Sequence, residues 1–403
     1  MTSSHAVRRA VRLAMRGVSL RSGWSPSGGR RPDRGAVLVH VAVAMMGLLA
    51  FSALTIDLGS LWVARAQAQN AADAAALAGG VSLAYGDPAD TDAAQAAAQT
   101  IALQHSIWGE PVAPASLQMA PPGPCPTGSP AVPGDCVGVA IERSGATGTP
   151  LPIFFSRLFG AGATTLRASA SAKVILGNST TCLRPWAIAD RWSEADGTWV
   201  PDDRYQAYVP GTSTPLSGPR DSYTPPGHNV GLAGTEVLLE RNDFDHPEIA
   251  GNEFWMLDMP NGETDHERRY EQNIENCNPL PVSIGDLVPL TQAPHDSTAI
   301  GVEHLVALDP TATWDGSAIR GSAFSVSPRL VTVALYDPEA LASTGTYDFG
   351  SQVVIQNLVG FFVIDVEANR LHGVFVPTSG AYNQDRPSVP DTSSFLRTVA
   401  LVR

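Results

Sequence analysis

Lysine is nearly missing from this chain: among 403 residues only Lys173 carries an ammonium group. No P-loop lysine is therefore available, and no Schiff-base lysine other than Lys173 itself. The signatures GxSxG, HExxH, GxxxxGK[ST] and CxxC are missing too, which weighs against the hydrolase, metalloprotease, nucleotide-binding and thiol-redox classes they mark. Positive charge is scarce once the N-terminus is passed. The net charge is −13, but residues 1–34 hold eight Arg against one Asp, which leaves −20 over residues 35–403. An acidic body without basic stripes excludes nucleic acid as the expected partner. Neither a cofactor nor a small-molecule substrate is expected, and no catalytic, cofactor-binding or metal-ligating residue is assigned.

What the chain does have is length, with 44% apolar residues, enough for two or more packed units. Ala36 to Ile56 form an uncharged run, AVLVHVAVAMMGLLAFSALTI. As a helix it would be about 31 Å long, enough to span a bilayer. Arg8, Arg9, Arg12, Arg16, Arg21, Arg30, Arg31 and Arg34 precede it and Asp57 follows, so the positive-inside rule keeps the N-terminus cytoplasmic and the bulk outside. A cleaved secretory signal is the competing reading, but such signals have apolar cores of only about 7–15 residues. His40 lies near the cytoplasmic end of the run, where a neutral imidazole costs little.

All four cysteines, Cys125, Cys136, Cys182 and Cys277, follow the span, in an expected oxidising compartment where an even count suggests disulfides. Three pairings are possible. The Pro/Gly-rich PCPTGSPAVPGDC favours a local Cys125–Cys136 bridge, which leaves Cys182 for Cys277. A zinc site would call for CxxC pairs that are not there.

Beyond the span, TIDLGSLWVARAQAQNAADAAALAGG (55–80) has no Pro and is rich in Ala, Leu and Gln, so the helix should continue and project from the membrane. Arg65, Gln69 and Asp73 recur every four residues as a polar stripe. Ala64, Ala68, Ala71, Ala72, Ala75 and Ala78 make a small-residue surface that another backbone can approach. Arg65, Gln69, Asn70, Ala72, Asp73 and Ala76 are the expected packing residues, toward a partner or the chain's own sheet. Gly86-Asp87-Pro88 should end this helix, and residues 93–107 read as a second one. Strand character follows at 136–144 and 164–176, with PIFFSRLFG (152–160) expected beneath the sheet. Residues 62–176 thus read as one small α+β domain.

From Gly177 the composition shifts toward Trp, Pro and acids. The clearest strands fall at 330–337, 351–368 and 371–380, spaced as in an antiparallel meander or sandwich, while 183–295 reads as irregular. In CLRPWAIADRW (182–192), Arg184, Trp186, Arg191 and Trp192 alternate charge and ring. A glycan-type surface would look so, but a strand edge with buried tryptophans is the plainer reading. Asp243, Asp245, His246, Glu248, Glu253 and Asp258 are candidate oxygen-rich ligands for calcium, though they match no EF-hand spacing, and a solvated acidic loop is the simpler account. His266 with Glu267, and His295 with Asp296, are sequence neighbours that need not face the same way.

The Arg34-Gly35 pair before the span, Asp57-Leu58-Gly59 at its end and QNAADAAALAGG at 69–80 together resemble the N-terminal region of TadE/TadG-like proteins of the Tad (Flp) pilus-assembly system. CLRPWAIADRW and NIENC (273–277) are similar to elements of TadG-like C-terminal regions. The resemblance implies an α+β fold: a long N-terminal transmembrane helix continuing into a pilin-like helix-plus-small-sheet domain, followed by a β-rich C-terminal domain. The expected layout is a basic segment 1–34, an anchor 35–61, a pilin-like domain 62–176 and a β-rich extracytoplasmic domain 177–403. It also implies a non-enzymatic, inner-membrane-anchored component whose partners are membrane lipid and other pilus-assembly or secretion-apparatus proteins. TadE-type pseudopilins carry Glu five residues after the cleaved Gly. Here His40 holds that position, which favours an uncleaved, TadG-like anchor. The DxSxS metal motif of the family's longer members is missing. An adhesin-like surface module and a membrane-tethered hydrolase built on 243–258 stand as alternatives.

Overall fold

The computed structural model describes residues 34–86, 91–125, 135–151, 155, 164–225, 233–245, 248–294, 296–367, 370–388 and 395–402. The basic segment before Arg34, all of PIFFSRLFG but Phe155, and His246 and His295 lie outside the described residues. The chain divides into two compact units, 1–57 and 58–403. Helix α1, Arg34–Tyr85, contributes residues to both. With no Pro and few β-branched residues after Ile56, nothing interrupts it until Gly86, whose N–H closes on Ser82 O at 2.8 Å. Helix α2, Thr91–Gln104, is the expected second helix, ending three residues early because Ser106 and Ile107 pair as a short strand with Glu110 and Pro111.

The second unit contains a five-stranded sheet and a barrel. The sheet uses β1 (Leu117–Gly123), β2 (Cys136–Arg143) and β3 (Leu166–Leu176), all antiparallel. Its fourth strand comes from far along the chain. Residues Leu396–Val402, numbered β11 below, pair antiparallel with β3 from Arg397↔Leu176 to Val402↔Ser171, and Thr378–Ser379 adds a short parallel fifth strand. Along β3 burial alternates: Leu166, Ala168, Ala170 and Ala172 face the core while Arg167 and Ser169 are exposed, the mark of a half-covered sheet.

The barrel is built from β4 (Leu183–Ala189), β5 (Glu236–Arg241), β6 (Glu253–Leu257), β8 (Leu330–Tyr336), β9 (Gln352–Glu367) and β10 (Arg370–Val376). Their pairings run β9–β8–β4–β6–β5–β10 and return to β9, so the ring is closed. The β8/β4 and β5/β6 pairs are parallel and the rest antiparallel. Strand β7 (Leu287–Thr291) lies across β9 and β6. One apolar cluster draws on all six ring strands, among them Trp186, Leu239, Phe254, Val333, Phe361 and Phe375, and so fills the interior. Helices α3 (His266–Glu275) and α4 (Ser297–Leu308) pack into the same cluster through Tyr270, Ile274, Val302 and Leu305. Gly301 lets them close up, since a Cβ there would meet Ile274 Cβ at 2.8 Å. Tyr270 links helix to barrel by accepting from Trp186 Nε1 at 3.0 Å and meeting Thr298 Oγ1 at 2.9 Å. A second cluster covers the outer side of the ring with Trp192, Tyr205, Trp255 and Tyr336, together with Leu341 of α5 (Pro338–Ala342).

Two expectations are corrected. Residues 183–295 are not irregular, because they supply three ring strands, β7, α3 and a short strand at Val282–Ser283. Strand β4 is not an edge either, being paired on both sides, with β8 and β6. Pro185 has no N–H for a ladder, and the register slips opposite it, between Thr332 and Ala334, where a central proline can be tolerated.

Candidate functional site: the apolar helix and its docking face

Within residues 34–57, α1 is apolar and outward-facing. Leu38, Met46, Leu48, Leu49 and Phe51 are all exposed, and the most apolar window of the helix has mean hydropathy 2.3 with 6% of it buried. A core helix of the same composition would be covered. Exposed large apolar side chains cost roughly 1.5–3 kcal/mol each relative to burial, so this surface needs an apolar solvent. The helix is long and apolar enough to be a single-pass membrane anchor.

From Leu58 onward the same helix has an inner face. Ala64, Ala68, Ala71, Ala72, Ala75 and Ala76 are buried against Val139, Ile141, Ala168, Ala170 and Ala172 of the sheet and Ala98 and Ala102 of α2. Ala78 is half-buried, at the margin of this face. Small residues are needed here because the approach is close. A Cβ on Gly79 would sit 2.8 Å from Val137 Cγ1 and 3.0 Å from Ala94 O, and one on Gly80 would sit 2.7 Å from Val399 Cγ1 and 3.1 Å from Ala172 Cβ. Of the polar stripe, Gln69 Nε2 donates to Asp73 Oδ1 at 2.8 Å and to Ser169 O at 3.1 Å, tying helix to sheet, while Arg65 and Asn70 are exposed. A tie the stripe did not reveal is Gln67, whose Oε1 accepts from Trp108 N at 2.7 Å. Trp108 has φ 55°, the described non-glycine residue in the left-handed region. Replacing Ala72 by Leu is expected to cost about 1–3 kcal/mol by overpacking, whereas Ala66→Leu, on the exposed side, should stay within about 0.5 kcal/mol. Thermal melts of the two variants make the comparison.

The four cysteines pair as Cys125–Cys136 and Cys182–Cys277. The second bridge joins the start of β4 to the end of α3. Beside it Arg184 is buried and donates to Asn273 O at 3.4 Å and to Asn276 O. Burial alone pulls its pKa down to about 10. Trp186 and Trp192 are core residues and Arg191 stacks 4.7 Å over Trp199. These tryptophans are thus unavailable to a glycan.

Four of the acids of 243–258 have separate partners. Asp243 accepts from Asp245 N at 3.0 Å, Glu248 pairs with Arg204 at 2.7 Å, Glu253 accepts from Asn242 Nδ2 at 2.8 Å, and Asp258 lies 3.5 Å from Arg269 Nε. Among the described residues no group of three or more His, Cys, Asp or Glu side chains is arranged to hold a metal ion. His266 meets Arg269 Nη2 at 2.6 Å, lies 3.9 Å from Asp258 Oδ2 and stacks edge-on with Phe349. A cavity of about 680 Å³ opens beside Tyr205, Tyr208 and Tyr347; on its wall both Tyr205 and Tyr208 donate to Glu339, and Arg204 is held by Glu248.

Glu253 does have a titration worth measuring. Burial first, then the nearby Glu248, push its carboxyl up to about 7 from an ordinary 4.5, with Arg204 opposing. A carboxyl raised in the folded state binds its proton more tightly there than when unfolded. Its contribution is therefore greatest at acid pH and is lost as pH rises from about 4.5 through 7. Glu253→Gln should flatten that decline, melting above the wild type at pH 8 and close to it at pH 5.

Residues 35–100 match the Tad family, Flp pilus-assembly TadE/G-like. The match takes in the apolar run, the alanine face of α1 and most of α2, and this part of the chain is TadE/G-like. No curated protein and no solved structure gives a significant match.

Proposed function

We propose that this chain is a permanently membrane-anchored, non-enzymatic component of Tad/Flp pilus assembly or its associated secretion apparatus. The observation that carries the reading is α1 itself. In a region matching a pilus-assembly family, one helix presents an exposed apolar length followed by a length whose alanine face is packed on a sheet. The Arg-rich sequence before the span supports a cytoplasmic N-terminus and an inner-membrane address, and the two disulfides in the body support an oxidising compartment outside. His40 in place of a glutamate supports retention of residues 1–35. The surface of the barrel is then what other apparatus proteins would contact.

Intact-mass measurement of the membrane-extracted protein, combined with protease shaving of spheroplasts, tests this. A full-length mass with the region after residue 58 digested from outside is the expected result. Loss of residues 1–35 alone would make the chain a processed, pilin-like subunit. A soluble chain starting near residue 60 would mean that the span is a cleaved signal, and the anchored role would have to be abandoned.

A further inference from the structure

We propose that Leu58, Trp62 and Val63 continue the lipid-facing surface of α1 past the uncharged run, with Trp62 seated in the headgroup layer and Arg65 at its water side. The exposed apolar face does not stop at Ile56. Leu58 is 47% exposed, Val63 47% and Trp62 77%, and among the described residues no other large apolar side chain is as open as Trp62. The one formal charge between Gly35 and Ala64, Asp57, is 2% exposed. It is therefore not displayed on the open side, where, His40 apart, only apolar or small side chains follow one another up to Ala64. Beyond that point the character changes at once, with Arg65 and Asn70 exposed.

Lengths agree with this placement. Ala36–Ile56 covers about 31 Å, enough for the roughly 30 Å hydrocarbon core alone, whereas Arg34 to Arg65 covers about 46 Å along the helix, close to the roughly 40–45 Å of a bilayer with its headgroups. Two arginines thus bracket the full membrane thickness, with an aromatic side chain one turn inside the second. A tryptophan has a large apolar ring and a single N–H donor, and it partitions to that interfacial depth. A partner helix could also cover Trp62. Lipid is the occupant we commit to, because the face is continuous with the exposed apolar surface of the span and carries no charge for a partner to complement.

This inference rests on α1 being a membrane anchor, and the experiment separates the two. Full-length protein is reconstituted into phosphatidylcholine vesicles in a Trp24→Phe background, with and without Trp62→Phe, and the difference emission isolates Trp62. Because Trp62 is exposed, the phenylalanine should leave the fold intact. Lipids brominated near the glycerol end or near the methyl end of the acyl chain serve as quenchers. The expected result is a blue-shifted difference spectrum, quenched at least twofold more by the shallow bromines than by the deep ones. Stronger deep quenching would overturn the headgroup placement. A blue-shifted but unquenched signal would mean a protein contact, and a red-shifted unquenched one would mean water. Either overturns the proposal while leaving the anchor intact, provided that the protein resists alkaline washing. Release of the protein by alkali would overturn the anchor and this inference with it.

Discussion

A chain cut after Phe395 is expected to lose the five-stranded sheet as a unit, not merely to fray at one end. Strand β11 lies between β3 and Thr378–Ser379 and also meets the C-terminal end of α1. Val399 meets the helix at Gly80, Arg397 Nη1 donates to Ala84 O at 2.8 Å, and Tyr85 Oη donates back to Arg397 O at 2.7 Å. Leu396 and Val402 are buried. At about 1.5–3 kcal/mol for each large apolar side chain returned to water, losing Leu396, Val399 and Val402 would consume much of a typical 5–15 kcal/mol stability. The β3 ladder would be lost as well. Circular dichroism melts of the full-length and shortened chains in detergent should show a first transition that is absent, or lower by well over ten degrees, in the shortened one. A melt unchanged within two degrees would mean that α1, β1, β2 and β3 suffice without β11.

Replacing both Cys182 and Cys277 by Ser should cost about 2–5 kcal/mol, more than the same change at Cys125 and Cys136. The sequence separations are 95 and 11 residues. In the chain-entropy account the longer loop constrains the unfolded state more, about 4.7 kcal/mol for a 100-residue loop against about 3 for a short one. The longer bridge also holds the end of α3 against β4, where the buried Arg184 finds its carbonyl acceptors at Asn273 and Asn276. If that end swings away, the guanidinium is left buried without them, a cost of its own. Urea unfolding of the two double variants measures the difference. Equal midpoints would show that loop length does not govern here.

Much of this architecture can be read from local sequence. An uninterrupted alanine-rich run gives α1. Alternation gives β2 and β3, and the apolar runs give β8 and β9 nearly to the residue, while the run at 371–380 gives β10 only as far as Val376. The tryptophans of CLRPWAIADRW are buried as their setting beside a half-cystine suggested. What escapes is pairing between distant segments and strands without alternation. LRPWAIA is buried at every position, since one face of β4 fills the barrel and the other lies under the outer cluster, so no period of two survives. EFWML is short and nearly all buried for the same reason. The closing of six strands into a ring depends on the pairs β4/β8 and β5/β10, whose partners are not adjacent along the chain, and no local pattern announces them. Residues 396–402 look like a strand but carry no sign that their neighbour is β3. At the docking face, the alanine pattern identified the buried side of the helix, while the ties through Gln67 and Gln69 depend on where Trp108 and Ser169 happen to lie.

The position of β11 in chain order sets a timetable. Every strand of the barrel is made before β11, so on a chain emerging N-terminus first the barrel can close while the sheet behind α1 still lacks its fourth strand. During that interval β3 is an open edge with unpaired N–H and C=O groups, beside the alanine face of α1, and such an edge is a template for pairing with the wrong chain. Crowding several copies together would lengthen the odds against correct closure. Delaying their arrival, or shielding β3 until Leu396 is in hand, would shorten them.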